Sequence, residues 1–552
     1  MHGPVATNEV LPLRAEETRL LVLGYGGTLR PDLNYRSDSL PSDDYAVMPP
    51  SMLALVEPLL REAVRRIQEQ TEDAQRYFSG EPIPLDALLS LLTERLCGIL
   101  TQVVAEFTDV PRQVADDLFP CFPFLLPLLH YSVYEWVSAT VTFLRRLHCD
   151  GPRLISWLGL PVQTPIESVR GTASDVHEGG QVVLRVSWKG GRCLYYKPRL
   201  VTGEWLWHRL LETIAQFDSS LHLPASRVLT EERRFHYGWV ESVEAAGHHA
   251  GTDYWHAAGA TLCLAQFARL TDLHFGNILA TPSGPAVTDT ECLATPDFSA
   301  AAGASRGGSQ MIAAAVDSLL STGLLHQGPA TEMHDVSGLF GKAGPLSGLL
   351  SGLRLPLWVA GSGGGYQLKQ VPAVAVPHGN APVETSALAV LPHLLSGYRH
   401  AAQTLLRCQD ALIERRAQWR WVLEKAHAPR IVLRDTLTYG LILSKSLAAE
   451  HLRSPYKRRH FILSGLQAGT SASLPKALLR AEMDALLRLH VPRFLNPPDS
   501  RNLTNGSRRI LIRHFASHSP AEAVILQMRT LSQTTLENVY IPALLLAALS
   551  QR

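Results

Sequence analysis

The 552-residue chain carries little charge and almost none of it net. Charged residues make up 18 % of it, below the roughly 25 % of an average domain, and 51 Lys and Arg face 50 Asp and Glu, for a formal net charge of +1. This balance argues against a dedicated nucleic-acid binder, which carries a basic excess, though it leaves room for a local basic groove. Cysteine is sparse as well. The seven cysteines, at positions 97, 121, 149, 193, 263, 292 and 408, are scattered and form no Cys-x-x-Cys pair. That excludes a disulfide framework or a zinc site legible in sequence, and reads as the reduced thiols of a cytoplasmic protein. Long apolar runs are missing too. The best stretch, Phe122–Leu129, is short and broken by Pro123 and Pro127, where a membrane span needs about 20 apolar residues. Residues 1–18 lack the basic start and apolar stretch of a secretory signal.

What is present suits a large globular fold. Hydrophobic residues are 46 % of the chain, ordinary usage that supports sizeable cores, and the length corresponds to three or four domains' worth of chain. Residues 1–45 are rich in Pro and Asp and read as a loose arm. From about Met52 to Leu160 the apolar spacing is helical: Leu53, Val56, Leu59, Leu60 and Val64 share a face, as do Leu88, Leu91, Leu92, Leu96 and Leu100. The last helices expected there are Tyr131–Leu147 and a segment around Leu154–Leu158. The period then changes. Val182, Leu184, Val186 and Trp188 alternate, Gly190-Gly191 makes a turn, and Cys193–Lys197 returns as a second strand. A helix over Gly203–Phe217, a strand at Phe235–Val240 and a helix over Tyr254–Leu270 follow. Ser299–Ser309 is small-residue, low-complexity sequence. Residues 330–390 give no clear assignment. Helical patterns resume near Ala387, with a Pro- and Asn-rich break at Asn496–Asn505. The order predicts an α+β fold, divided into a helical N-terminal region (1–160), a β-rich lobe (161–245) and a helical lobe (246–552).

The segment Thr271–Glu291 reads TDLHFGNILATPSGPAVTDTE. Asp272 and Asn277 stand five apart, and Asp289 lies twelve beyond Asn277, past an apolar stretch and a Ser-Gly-Pro turn. Phosphoryl transfer from Mg·ATP needs such a set: an Asp to orient or deprotonate the attacking hydroxyl, an Asn on the same loop for a metal, and a second Asp on the following hairpin to bridge metal and phosphates. The Asp-Asn pair alone equally describes a polar loop with a capping Asp, and a lone His274 is more often a satisfied histidine than a catalyst. Context strengthens it. Lys197 ends a hairpin strand about 75 residues upstream, where a lysine can reach nucleotide phosphates, and the helix after it offers Glu204 and Glu212 as partners. An isolated strand-edge lysine would otherwise serve to discourage aggregation. No Gly-x-Gly-x-x-Gly loop is present. Ser174-Asp175-Val176-His177-Glu178-Gly179-Gly180 stands in its place. Its glycines allow close approach of backbone to phosphate, while Asp175 would repel one and makes better sense if a second acid–base step occurs there. An ordinary Asp/Gly turn has the same composition.

Together these motifs resemble the dehydratase region of the class II (LanM-type) lanthionine synthetases, whose core is lipid-kinase-like and bilobal. The resemblance runs through Ser-Asp-x-His (174–177), Tyr-Lys-Pro-Arg (196–199), Asp-Leu-His-Phe-x-Asn-Ile (272–278) and Asp-x-Glu (289–291). It continues through Gly-Tyr-Arg (397–399) and the Arg430–Tyr439 run R-x-x-x-R-x-T-x-x-Y, with Phe119–Leu147 similar to the entry to the core. It spans about residues 100–545. The resemblance implies ATP-dependent phosphorylation of Ser and Thr in a ribosomal precursor peptide bearing a leader, then elimination of phosphate to dehydroalanine or dehydrobutyrine. It implies Asp272 as base or orienter with His274 in support, Asn277 and Asp289 on Mg²⁺ with Glu291 beside them, and Lys197 on the ATP phosphates. Asp175 and His177 fall where the phosphate is handled, and Arg430 and Thr436 match the elimination pair. A planar, permanent cation such as Arg430 suits a departing phosphate.

Two departures stand out. The cysteine and histidine ligand motifs of the family's zinc cyclase domain are absent, with no Cys after Cys408. The chain is therefore expected not to close thioether rings, whether it is a stand-alone dehydratase, a truncated form or one half of a split system working with a separate cyclase. Leu489–Phe494 (LHVPRF) resembles the family's Gly-Asp-Ile-Pro-x-Phe motif with its acidic residue replaced. Two other readings remain open: a kinase-like phosphotransferase that stops at the phosphorylated product, and a precursor-binding scaffold without catalysis.

Overall fold

The computed structural model describes residues 29–31, 49–71, 83–107, 114–172, 176–230, 235–245, 251–297, 308–326, 335–341, 344–345, 354–360, 366–375, 387–468 and 475–550. Ser174, Asp175 and most of the expected arm and of the 299–309 segment lie outside them. The architecture is α+β, with two large hydrophobic cores.

The first core joins the N-terminal helices to a sheet. Helices Pro50–Gln70, Asp86–Val104 and Leu125–Leu158 bury Met52, Val56 and Ile67, then Leu88, Leu92, Leu96 and Leu100, then Leu129, Val133 and Leu144. Where two helices were expected, one 34-residue helix runs through Gly151-Pro152. Proline removes a backbone donor, but the buried stripe Leu144, Leu147, Gly151, Leu154, Leu158 stays in helical register across it, and packing on that stripe outweighs the local break. Gly159, in the left-handed region at φ 66°, caps the end by donating its N–H to the Ile155 and Ser156 carbonyls. Asp86–Val104 is the one helix among the described residues long and apolar enough to cross a membrane by length and composition. Over half of that stretch is buried inside the protein, as in a core helix.

The sheet is antiparallel and five-stranded, in the order Ile166–Gly171, Leu184–Trp188, Cys193–Lys197, Gly238–Glu241, Val228–Thr230. Leu184, Val186 and Trp188 face the core as their alternation predicts, and the turn at Gly190-Gly191 uses positive φ at both residues. The strand expected from Phe235 begins only at Gly238.

The second core gathers helices Thr202–Phe217, Thr252–Phe267, Ala387–Ile413 and Ile541–Leu549. Two of them meet backbone to backbone. A Cβ on Gly397 would lie 1.7 Å from the His256 carbonyl oxygen, and one on Gly259 would lie 2.0 Å from that of Leu394. The Gly-Tyr-Arg motif is thus a packing device: Gly397 allows the approach, the Tyr398 hydroxyl bonds Gln266 in the interior, and Arg399 pairs with Glu537. The unassigned 330–390 stretch contributes strands Arg354–Ala360 and Tyr366–Ala375, joined by Leu29–Pro31 from the expected arm and by Gly344–Pro345. The break near 496–505 holds strands Phe494–Leu495, Leu503–Asn505 and Ile510–Ile512, each too short to show a period in sequence.

Candidate functional site

Charged side chains from both cores converge at one junction. Lys197, at the end of its strand and 5 % exposed, donates to Glu204 Oε1 at 2.7 Å and to the Thr288 carbonyl at 2.8 Å. Of the two glutamates the sequence offered, Glu204 is therefore the partner; Glu212 pairs on the surface with Arg209 and His208. Arg199 binds Glu204 at 2.9 Å and Asp289 at 2.7 Å, and lies 3.4 Å from Glu291. Glu291 also accepts from Arg430 at 2.5 Å and lies 3.6 Å from Arg493. The Arg430 backbone N–H donates to the Glu291 carbonyl at 2.7 Å, so the two residues are tied by main chain as well. Gly203 makes this closeness possible. A Cβ there would stand 2.2 Å from the Thr290 carbonyl oxygen, so the first turn of the Thr202–Phe217 helix rests directly on the Asp289–Glu291 segment.

Burial alone would raise the Glu204 carboxyl, yet Arg199 and Lys197 hold it down at about 2. Burial likewise opposes ionisation of Glu291, and Arg430, Arg199 and Arg493 keep it well below the carboxylate range. Removing charges from water is costly unless each is paired, and here one carboxylate is shared among three guanidinium groups.

The loop beside this network holds the Asp-Asn pair. Asp272 adopts the left-handed conformation at φ 65°, uncommon for a residue with a side chain. Its carbonyl accepts from Asn277 Nδ2 at 2.8 Å. His274 caps the short turn Phe275–Asn277, its Nδ1 accepting from the Gly276 N–H at 3.0 Å, with Nε2 3.4 Å from Asn277 Nδ2. The hairpin Ile278–Thr281/Gly284–Val287 brings the chain back, and Thr288 N–H donates to the Asn277 carbonyl at 2.9 Å. That places Asp289 at the open end of the hairpin, next to Asn277. Burial raises the Asp272 carboxyl above its ordinary value, with His274 and Arg430 pulling the other way. Cys292 Sγ lies 4.0 Å from Asp272 Oδ2.

His177 enters from the loop before the sheet. Its Nδ1 lies 3.2 Å from the Val491 carbonyl oxygen, which can only accept, so Nδ1 carries the proton and Nε2 is left as acceptor. Burial and the nearby Arg430 push its pKa down to about 3. The LHVPRF segment holds that loop: Val491 N–H donates to the Val176 carbonyl at 3.0 Å. Where the family motif has an acidic residue, His490 instead takes a carboxylate from another element, Glu135 on the Leu125–Leu158 helix, at 2.6 Å. Leu489 occupies φ 62°, where the motif's glycine would fit without strain.

Thr436 opens the helix Thr436–Ser446 behind the capping Asp435. No polar contact joins its hydroxyl to the cluster among the described residues. Other polar members of the same run, Arg434 and Tyr439, bind Glu482 at 2.8 and 2.7 Å. The site also contains two residues that sequence reasoning did not single out, Arg199 and Arg493. Both stood inside quoted motifs, Arg199 in Tyr-Lys-Pro-Arg and Arg493 in LHVPRF, at positions to which no role was given.

Magnesium suits this arrangement only together with phosphates. Among the described residues no group of three or more His, Cys, Asp or Glu forms a ready cage. Mg²⁺, however, is commonly held by one or two protein oxygens plus phosphate and water. Asn277, with its amide nitrogen committed to Asp272, has its side-chain oxygen left as a hard donor, and Asp289 is 30 % exposed with one carboxylate oxygen outside the Arg199 pair.

Fold and junction define an α+β protein whose charged residues meet at a buried loop-and-hairpin site. The chain belongs to the family described as Domain of unknown function (DUF4135), whose family model matches residues 122–496, a family associated with lanthionine synthetase-like proteins. No curated protein matches the chain.

Proposed function

We propose that the protein is a peptide Ser/Thr dehydratase of the LanM type, with a kinase-like core, acting by ATP-dependent phosphorylation and phosphate elimination. The observation that carries this reading is the tie of Arg430, through side chain and backbone, to Glu291 beside Asp289 and the Asp272–Asn277 loop. It puts a phosphate-binding guanidinium next to residues suited to phosphoryl transfer. Mg·ATP, when bound, supplies the phosphoryl group. Asp272, its carboxyl raised by burial, accepts the hydroxyl proton of the peptide Ser or Thr. Asn277 and Asp289 would hold the metal, and Lys197 and Arg199 would meet the phosphates. In the second step a base removes the Cα proton, the C–H electron pair forms the Cα–Cβ double bond, and the Cβ–O electron pair departs with the phosphate. Arg430 would receive the phosphate as a planar fork, and neutral His177 offers Nε2 as a hydrogen-bond acceptor.

Mass spectrometry of a Ser/Thr-rich precursor peptide incubated with the protein, ATP and Mg²⁺ tests the reading. Wild type should remove one water per modified residue. Asp272→Asn should leave the peptide unchanged, and Arg430→Lys should accumulate phosphopeptide, since lysine keeps a charge but not the fork. Normal dehydration by Arg430→Lys would remove its assigned role. One observation favours a second reading, a phosphotransferase that stops at the phosphorylated peptide: the Thr436 hydroxyl has no bond to Arg430 or Glu291. Wild type would then add phosphate without loss of water.

A further inference from the structure

A set of arginines lies outside the chemistry above. Beyond Arg493 the protein opens into a cavity of about 290 Å³ between the helix Lys476–Leu487 and the turn around Asn505–Arg509. Four arginines line it, Arg480, Arg488, Arg493 and Arg509, against two carboxylates, Glu178 and Asp484. Arg480, Arg488 and Arg509 are exposed, and no salt bridge engages them among the described residues. Exposed arginines alone are ordinary surface. The fourth differs. Arg493 forms the floor, its Nε is buried without a hydrogen-bond partner, and its closest ion pair, to Glu291 at 3.6 Å, is longer than a hydrogen bond. A buried donor left unmatched is costly. Glu291 is already shared with Arg199 and Arg430, so Arg493 is the cation with least compensation in the cluster. It also belongs to both places, facing Glu291 on one side and the cavity on the other.

We propose that this cavity is a phosphate-binding subsite, continuous with the reaction centre through Arg493, that takes a phosphomonoester or free phosphate dianion. A guanidinium with a free donor in a partly dry site is the usual receiver of such an oxyanion. The three outer arginines attract it over a longer range, where each is worth little individually. Glu178 does not fill the floor: its carboxylate lies against the turn, 2.9 Å from where a Cβ on Gly506 would stand. The ligand's chemistry has two sources under the dehydratase reading, the phosphoryl group still esterified to a peptide Ser or Thr, or the inorganic phosphate just released. The subsite rests on that reading only for this origin.

Calorimetric titration of the full chain at low salt with inorganic phosphate, and separately with N-acetyl-O-phosphoserine amide, tests it. Both probes should bind saturably. The triple variant Arg480→Gln/Arg488→Gln/Arg509→Gln, altered only at exposed side chains, should weaken both about threefold or more, and Arg493→Gln about tenfold or more. Tighter binding of the phosphoserine probe assigns the subsite to the esterified intermediate, and equal or tighter binding of inorganic phosphate assigns it to release; either supports the subsite. Absence of binding by both probes overturns it, as does binding unchanged in the triple variant, which decides the matter even if Arg493→Gln does not fold. Neither probe needs ATP or turnover, so a wild-type protein that fails to dehydrate peptide would count against the dehydratase alone.

Discussion

Glu204 shows how much of the site rests on single side chains. It is buried, and it neutralises Lys197 and Arg199 together. Glu204→Gln preserves shape but leaves Lys197 with only the Thr288 carbonyl. Removing one partner of a buried pair costs about 3–5 kcal/mol because the remaining charge stays out of water. Glu212→Gln, in contrast, breaks a half-exposed pair with Arg209 and should cost at most about 0.5 kcal/mol. Thermal unfolding of the two variants side by side checks this; equal melting temperatures would show that Glu204 does not hold the cluster. At this scale the sequence was partly legible. Lys197 and the Asp-Asn loop announce themselves through short, ordered spacing. Arg493 and His490 stand in the LHVPRF segment, but their partners Glu291 and Glu135, the latter 355 residues away, have no local signature, because an arginine or histidine acquires its role only from what folding brings beside it.

Among elements, the decisive contact is the seating of the Thr202–Phe217 helix on Asp289–Glu291. Only the absence of a side chain at Gly203 permits it, since a Cβ would meet the Thr290 carbonyl oxygen at 2.2 Å. Gly203→Ala must therefore lift the helix or move the Asp289–Glu291 segment that follows the strand, and either loosens Arg199 from Asp289 and Glu291. Overpacking of this kind costs typically 1–3 kcal/mol. Here it should also lower ATP affinity, measured by titration with a non-hydrolysable ATP analogue and Mg²⁺. A variant less stable but with unchanged nucleotide affinity would mean that the helix and the site are independent. Elements of this size were legible where period and length agree, as in the Leu184–Lys197 hairpin. They were not where tertiary packing overrode a local signal, as at Pro152, or where strands of two or three residues form only through their partners, as at Phe494–Leu495.

Over the whole molecule, several histidines are held neutral by the fold, and the most buried of them ties segments of the second core together. His427 is 1 % exposed; its Nε2 donates to the Leu293 carbonyl at 2.6 Å and its Nδ1 accepts from the Thr202 hydroxyl at 2.8 Å. This single ring therefore links the Asp-x-Glu segment to the start of the Thr202–Phe217 helix. Burial pushes its pKa down from 6.5 to about 4, against a smaller opposing pull from the Leu293 carbonyl and Glu204. His177 falls to about 3 for the same first reason, and His208, His256 and His451 shift in the same direction. The unfolded chain binds protons on these rings below about pH 6.5 while the folded one does not, so the unfolded state holds more protons and stability rises with pH across this window. Their contribution is complete above pH 6.5 and lost as pH falls toward 4. The strongly paired carboxylates Glu204 and Glu291, held below their ordinary 4.5, lose theirs only below that value, so between pH 6.5 and 5 the histidines dominate. His427 alone accounts for a term on the order of 3 kcal/mol over its full range. The melting temperature of wild type should fall steadily from pH 7 to 5. His427→Gln, which keeps a donor and an acceptor but cannot charge, should start lower and show a flatter slope. If the two slopes coincide, the acid sensitivity lies elsewhere and His427 is not a titrating link between the Asp-x-Glu segment and the Thr202–Phe217 helix.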